Sequence, residues 1–227
     1  MNTNVNLAAP FGVMALLGTG FLFFLAAIVL IQSLIVKKRV RAKVVLVAML
    51  VIAGGYLGVT LIFSFASNEK VLARGEEKHF CEIDCHLAYS IVNARQSKTI
   101  GNPPSQSAAQ GLYTIITIKT RFDETTISST RGNSLLHPNS RLLTLVDKRG
   151  NKYKPSAEGQ RALDAVGSGA ALTTPLRPGE SYTTDVVFDL PSDAKASTLL
   201  INEGEWVTHL VIGHENSPLH KQAKFQL

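Results

Sequence analysis

The sequence predicts a two-helix transmembrane hairpin followed by an all-β sandwich. Two uncharged apolar runs open the chain, a short and densely basic loop joins them, and beyond residue 67 the pattern changes to short β-branched runs separated by Gly and Pro.

The first apolar run, Phe11 to Val36, is 26 residues long, and the second, Val44 to Ala66, is 23. About 20 residues of helix cross a hydrocarbon core, and a spanning segment satisfies its backbone hydrogen bonds internally as a helix. A secretory leader would start with a basic region and a shorter apolar stretch. Residues 1–10 hold no basic side chain, so the first helix is expected to be retained. Between the runs, Lys37, Lys38, Arg39, Arg41 and Lys43 make residues 37–43 a basic loop. Short loops of this kind stay in the cytoplasm, which places the tail at 1–10 and everything after residue 66 on the extracytoplasmic side. Gly54 and Gly58 form a small-residue strip expected to pack against the first helix.

Charge bounds the partners. Five of the 23 basic residues lie in that loop, leaving 18 against all 17 acidic residues in the remainder. Nucleic-acid binding calls for a basic stripe on a folded surface, and a nearly balanced domain does not supply one. The basic loop reads as a topology signal, with anionic lipid as its other possible role.

Residues 67–86 read as a juncture, and residues 87–227 as the sandwich. Leu87 to Val92 alternates like a strand, and Ser97 to Gly111 is polar and Pro-bearing, a loop. Leu112 to Phe122 is rich in β-branched and aromatic residues. Arg141–Val146 and Lys152–Lys154 flank a hairpin turn at Gly150. Gly159 to Thr174 reads as a long loop, Pro178 to Ser181 as a turn, and Tyr182–Leu190, Ala196–Asn202, Trp206–Ile212 and Gln222–Leu227 as strands. Seven or eight short strands in one domain favour a sandwich. Trp206, the only tryptophan, is expected in or near the core, and Arg121 to Glu124 are expected to pair on the surface.

The stretches YTIITIKTRFDETTIS, PLRPGESYTTDVVFDLP and IGHENSPLHKQAKFQL resemble bacterial extracytoplasmic immunoglobulin-like domains of unknown function, over about residues 86–227. The resemblance implies a membrane-tethered sandwich and supplies no mechanism.

The chemically suggestive segment is His79-Phe80-Cys81-Glu82-Ile83-Asp84-Cys85-His86, which contains both cysteines. Three readings stand. Outside the membrane, Cys81 and Cys85 can form a disulfide if a turn brings their Cα atoms within about 7 Å. Alternatively, Cys81, Cys85 and His86 hold copper, aided by His79 or by His214 and His220, since thiolate and imidazole suit soft metals. The architecture resembles cytochrome oxidase subunit II, whose copper motif also spaces its cysteines by three residues. That motif sits near the end of its sandwich, and Tyr89 stands here where it has a histidine. A variant haem attachment site is the third reading, although its usual spacing is two residues. The loop from His214 to His220 reads as a solvated connection or as a site for a partner or ion.

No phosphate loop, zinc-protease motif or nucleophile elbow occurs. The sequence therefore points to a non-enzymatic interaction or accessory module. Its expected partners are the lipid bilayer and a membrane or envelope protein, with no cofactor. A copper-binding or thiol-redox accessory protein is the alternative.

Overall fold

The computed structural model describes residues 8–80, 86–126 and 130–227. The chain divides into a helical unit (residues 6–68 with 205–221) and a sandwich unit (residues 69–204 with 222–227).

In the helical unit, α1 (Ala8–Ile35) and α2 (Arg39–Ala66) pair as a hairpin. The connection is shorter than the basic run: Lys37, at φ 55°, makes the turn, and Arg39, Arg41 and Lys43 already belong to α2. Arg, Lys and Ala are good helix formers, so the helix outruns its apolar stretch. Both helices are long and apolar enough to span a membrane, and 0% of the first span and 6% of the second is buried in protein. Two of their hydroxyls bond back onto their own helix, Ser33 to Val29 O and Thr60 to Tyr56 O. The glycine strip does not face α1. A Cβ at Gly54, Gly55 or Gly58 would meet nothing within 4 Å.

Residues 205–221 belong to this unit and are not a strand. Trp206–Leu210 is a 3-10 turn, and Trp206 is 72% exposed, so the expectation of a core tryptophan fails. The segment contains Thr208, Asn216 and Ser217, which are buried and hydrogen-bonded within it. Its buried centre combines these polar side chains with Val211 and Ile212.

The sandwich begins earlier than the sequence indicates, because the stretch read as a juncture supplies two strands, β1 (Lys70–Leu72) and β2 (Lys78–Phe80). β3 (Leu87–Ile100) and β4 (Ser107–Phe122) follow as one long antiparallel hairpin. The polar loop expected at 97–111 shrinks to residues 101–106, since Ser97, Thr99 and Ile100 continue the ladder against β4. Next come β5 (Arg141–Asp147), β6 (Lys152–Tyr153), α3 (Ala157–Asp164), β7 (Ser181–Leu190), β8 (Ala196–Glu203) and β9 (Ala223–Gln226). Gly150 (φ 88°) turns β5 into β6 as its sequence position predicts.

One sheet has the order β1-β9-β8-β5-β6 and the other β2-β3-β4-β7. The chain changes sheet four times, between β1 and β2, β4 and β5, β6 and β7, and β7 and β8. Strands β3, β4 and β7 then occupy the places of A, B and E in an immunoglobulin sandwich, and β9, β8 and β5 those of G, F and C. The predicted sandwich is therefore present, with β1 and β2 added before it. β1 runs parallel to β9, so the strand that follows α2 is paired to the strand near the C-terminus.

The core fills the space between the sheets: Tyr89, Ile91, Ile116, Ile118 and Phe188 from one side meet Leu145, Leu199, Ile201 and Phe225 from the other. A second, smaller core lies on the outer face of β4 and β7, where Tyr113, Ile115 and Val187 pack against Ala162 and Leu163 of α3. This helix occupies part of the stretch expected to be a loop. Ser156 caps it, its Oγ accepting from Gly159 N at 3.2 Å.

Candidate functional site

β2 is buried on both faces, and its three side chains divide between them by strand alternation. Lys78 and Phe80 turn toward the facing sheet. Lys78 Nζ donates to the Ile201 carbonyl at 2.6 Å. The Arg141 guanidinium lies 4.2 Å over the Phe80 ring, and Tyr89 meets that ring edge-on at 5.3 Å. Cation–π contacts of this desolvated kind contribute on the order of 1–2 kcal/mol.

His79, at the alternate position, meets the end of β4. Its Nε2 lies 3.1 Å from Asp123 Oδ2, and both side chains are almost wholly buried. Asp123 also accepts from the Thr125 amide at 3.0 Å and the Thr125 hydroxyl at 2.7 Å, and pairs with Arg121 Nη1 at 3.3 Å. Arg121 in turn makes a two-pronged bond to Glu77, 2.7 Å on each arm. Burial opposes the Asp123 charge, but the bonds from Thr125, His79 and Arg121 outweigh it and hold the carboxyl well below the usual carboxylate range. The Arg121 bond likewise lowers Glu77 against the opposing effect of burial, and Glu77 raises Arg121.

An ionised carboxylate only accepts, so His79 must donate through Nε2. Its Nδ1, buried and without a hydrogen-bond partner among the described residues, then carries the lone pair in the neutral ring. His86 is held differently. Its ring stacks on Phe122, with centroids 5.4 Å apart and planes 17° from parallel, and its carbonyl accepts from Asp123 N at 2.7 Å.

Cys81 and Cys85 lie outside the described residues, in the connection between β2 and β3. The residues bracketing that connection, Phe80 and Leu87, are direct antiparallel partners. His79 and His86 therefore stand at one end of the sandwich, beside the cysteine segment. His214 and His220 belong to the helical unit, where His214 Nδ1 accepts from Asn216 N at 3.0 Å and His220 Nδ1 lies 2.8 Å from the Lys221 carbonyl. Lys37 and Lys38 sit in the hairpin turn, and Arg39, Arg41 and Lys43 in the first turns of α2. Among the described residues, no group of three or more His, Cys, Asp or Glu is arranged to hold a metal ion.

The expected surface pair at Arg121 to Glu124 is corrected by burial. Asp123 is only 4% exposed, because the His86 amide unit and the β2 edge cover it. Glu77 and Thr125 complete the cluster, and sequence reasoning missed both. One signal was present, the match of Asp123 with Thr125 two residues on, a short-range turn pattern that Asp favours.

No family model matches the chain, and no curated protein matches it. Solved structures do. One is a conserved hypothetical protein from Bacillus anthracis, at 13% identity over 59% of this chain and 92% of that one, TM-score 0.43. Another is the secreted protein MPT63 from Mycobacterium tuberculosis, at 12% over 70% and 98%, TM-score 0.44. A third is a β-sandwich protein from Clostridium difficile, at 12% over 71% and 95%, TM-score 0.38.

Proposed function

We propose that the chain is a membrane-anchored, non-catalytic β-sandwich module of the cell envelope, held by α1 and α2 with both termini on the extracytoplasmic side. The observation that carries this reading is the bareness of the two helices. Apolar helices of a soluble protein bury a face against their own core, whereas these spans are 0% and 6% buried. The five basic residues at one end of the hairpin support the orientation. The sandwich is then the working part outside, kin in form to tethered immunoglobulin-like domains, and offers a surface to a membrane or envelope protein. A reporter enzyme active only outside the cytoplasm, fused after Leu227, is expected to be active, and the same reporter inserted at Lys38 silent. A silent C-terminal fusion overturns the orientation. Release of the chain from membranes by alkaline carbonate overturns the anchor.

A second reading has its own supporting observation. Metal-binding histidines commonly donate their other ring N–H to a carboxylate. His79 is bonded to Asp123 in that manner, and its remaining nitrogen has no hydrogen-bond partner among the described residues, two positions before Cys81. In this reading His79, Cys81, Cys85 and His86 take a soft metal such as copper. In its absence the thiols pair as a disulfide. Intact mass under non-reducing conditions decides between them: a deficit of about two daltons with no metal supports the disulfide. One equivalent of copper, lost in Cys85→Ser, supports the metal site.

A further inference from the structure

Residues 205–221 follow the outer part of the membrane helices. Tyr56 Oη donates to the Leu210 carbonyl at 2.6 Å. Gly12, near the start of α1, is held so close to Val211 and Ile212 that a Cβ would collide with the Ile212 carbonyl. At the other end, Lys221 N donates to Ser67 Oγ at 2.9 Å, just past the end of α2. The segment thus extends from the helix end down to Tyr56, ten residues before Ala66, or about 15 Å along the axis. Counted from Val44, about 20 residues of hydrocarbon end at Phe63, which puts Tyr56 roughly 10 Å inside.

The construction of the segment fits that depth. Successive turns satisfy its backbone at a spacing of three: Thr208 N to Glu205 O, Val211 N to Thr208 O, His214 N to Val211 O, Ser217 N to His214 O and His220 N to Ser217 O, all between 2.9 and 3.3 Å. Three polar side chains point inward, Asn216 Nδ2 donating to Thr208 Oγ1 at 2.8 Å and Ser217 Oγ to the Val211 carbonyl. Four apolar side chains point outward, Trp206 at 72%, Leu219 at 67%, Leu210 at 43% and Val207 at 42% exposure, beside the exposed Glu205, His209 and Lys221, while Val211 and Ile212 are buried. Backbone outside a helix or barrel is tolerated at membrane depth only where its polar groups are met by protein, and five amides of the segment are met in this way.

We infer that residues 205–221 form a lipid-embedded collar, seated in the outer leaflet at the headgroup–acyl boundary, with Trp206, Val207, Leu210 and Leu219 as its lipid-facing side chains. This rests on the anchoring reading above and deepens it: the protein holds the membrane at three places, two spans and one interfacial segment. An interfacial element of this type buries its apolar face about 5–10 Å deep, in accord with the level of Tyr56. Trp at this level is favoured because its ring body is apolar and its N–H reaches the headgroup region.

The test uses the single native tryptophan. The full chain is reconstituted in phosphatidylcholine vesicles with and without lipids brominated at mid-chain. The expected result is loss of about half of the Trp206 emission to brominated lipid, with little loss to aqueous iodide, as for a ring at about 5–10 Å depth. The doubly changed W206F/L219W chain reports the same for position 219. If the chain floats with vesicles through alkaline carbonate but Trp206 is quenched by iodide and not by bromine, the collar is refuted and the anchor stands. If neither quencher acts, position 206 is buried in protein, which also refutes it. If carbonate strips the chain from vesicles, the anchor falls and the collar with it.

Discussion

Replacing Asp123 with alanine removes the acceptor for four groups at once: His79 Nε2, the Thr125 amide, the Thr125 hydroxyl and one arm of Arg121. Their losses differ. Arg121 keeps its two bonds to Glu77, and the Thr125 groups lie near solvent and rebind water. His79 loses the most, because its ring is almost wholly buried and Nδ1 already lacks a hydrogen-bond partner among the described residues. Stranding one buried donor costs about 1–3 kcal/mol, and charge-assisted hydrogen bonds about 1.5–3 each before water repays part. The total comes to about 4 kcal/mol, in the range measured when one member of a buried pair is removed. For a domain of this size that lowers the unfolding midpoint by about 8–16 °C. Thermal unfolding of the full chain in mild detergent, followed by the β-sheet circular dichroism signal, measures it. Asp123→Asn, which keeps one acceptor oxygen, is expected to lose about half as much. A midpoint for Asp123→Ala within about 2 °C of the parent chain would mean that the site is hydrated, and the argument from burial would fail.

Two further substitutions probe the rest of the sandwich. Burial opposes the charge on Asp147, but bonds from Asn151, Tyr153 and the Arg149 amide prevail and hold its carboxyl below the usual range. A depressed native value contributes stability above the ordinary carboxylate range and loses it as pH falls through the native value. Asp147→Asn should therefore be less stable than the parent at neutral pH, with the gap narrowing in acid. A gap independent of pH, read from denaturant midpoints, would refute the assignment. Gly159→Ala sets two effects against each other. Helix propensity favours alanine by about 1 kcal/mol, yet its Cβ would lie 2.6 Å from Val187 Cγ1 and 2.9 Å from Tyr113 Cε1, and overpacking of this kind costs about 1–3 kcal/mol. The expected outcome is net destabilisation in a urea titration, and a stabilised variant would show that α3 shifts freely on the sheet.

Much of the fold was legible because its signals are local. The helices announce themselves by length and lack of charge, and β4, β5, β7 and β8 by β-branched alternation within each run. The misplaced elements each needed a partner to exist. Ser97 to Ile100 look like a loop by composition, but become strand once the Ser107–Thr114 stretch lies beside them. β1 is three residues long and survives through pairing with β9, more than 150 positions away. α3 carries a weak pattern and is fixed by the second core on the outer sheet face.

The same division runs through the candidate sites. Sequence alone marked the apolar helices, the basic residues from Lys37 to Lys43, and the concentration of Cys and His around residues 79–86, since each is a matter of residue type and spacing. Tertiary structure decided that His79 meets Asp123, that His86 stacks on Phe122, and that His214 and His220 belong with the helices. It also turned Trp206 outward. An amphipathic strand and a polar-centred turn have similar compositions, and only the hydrogen bonds of Thr208, Asn216 and Ser217 determine which side chains are left facing out.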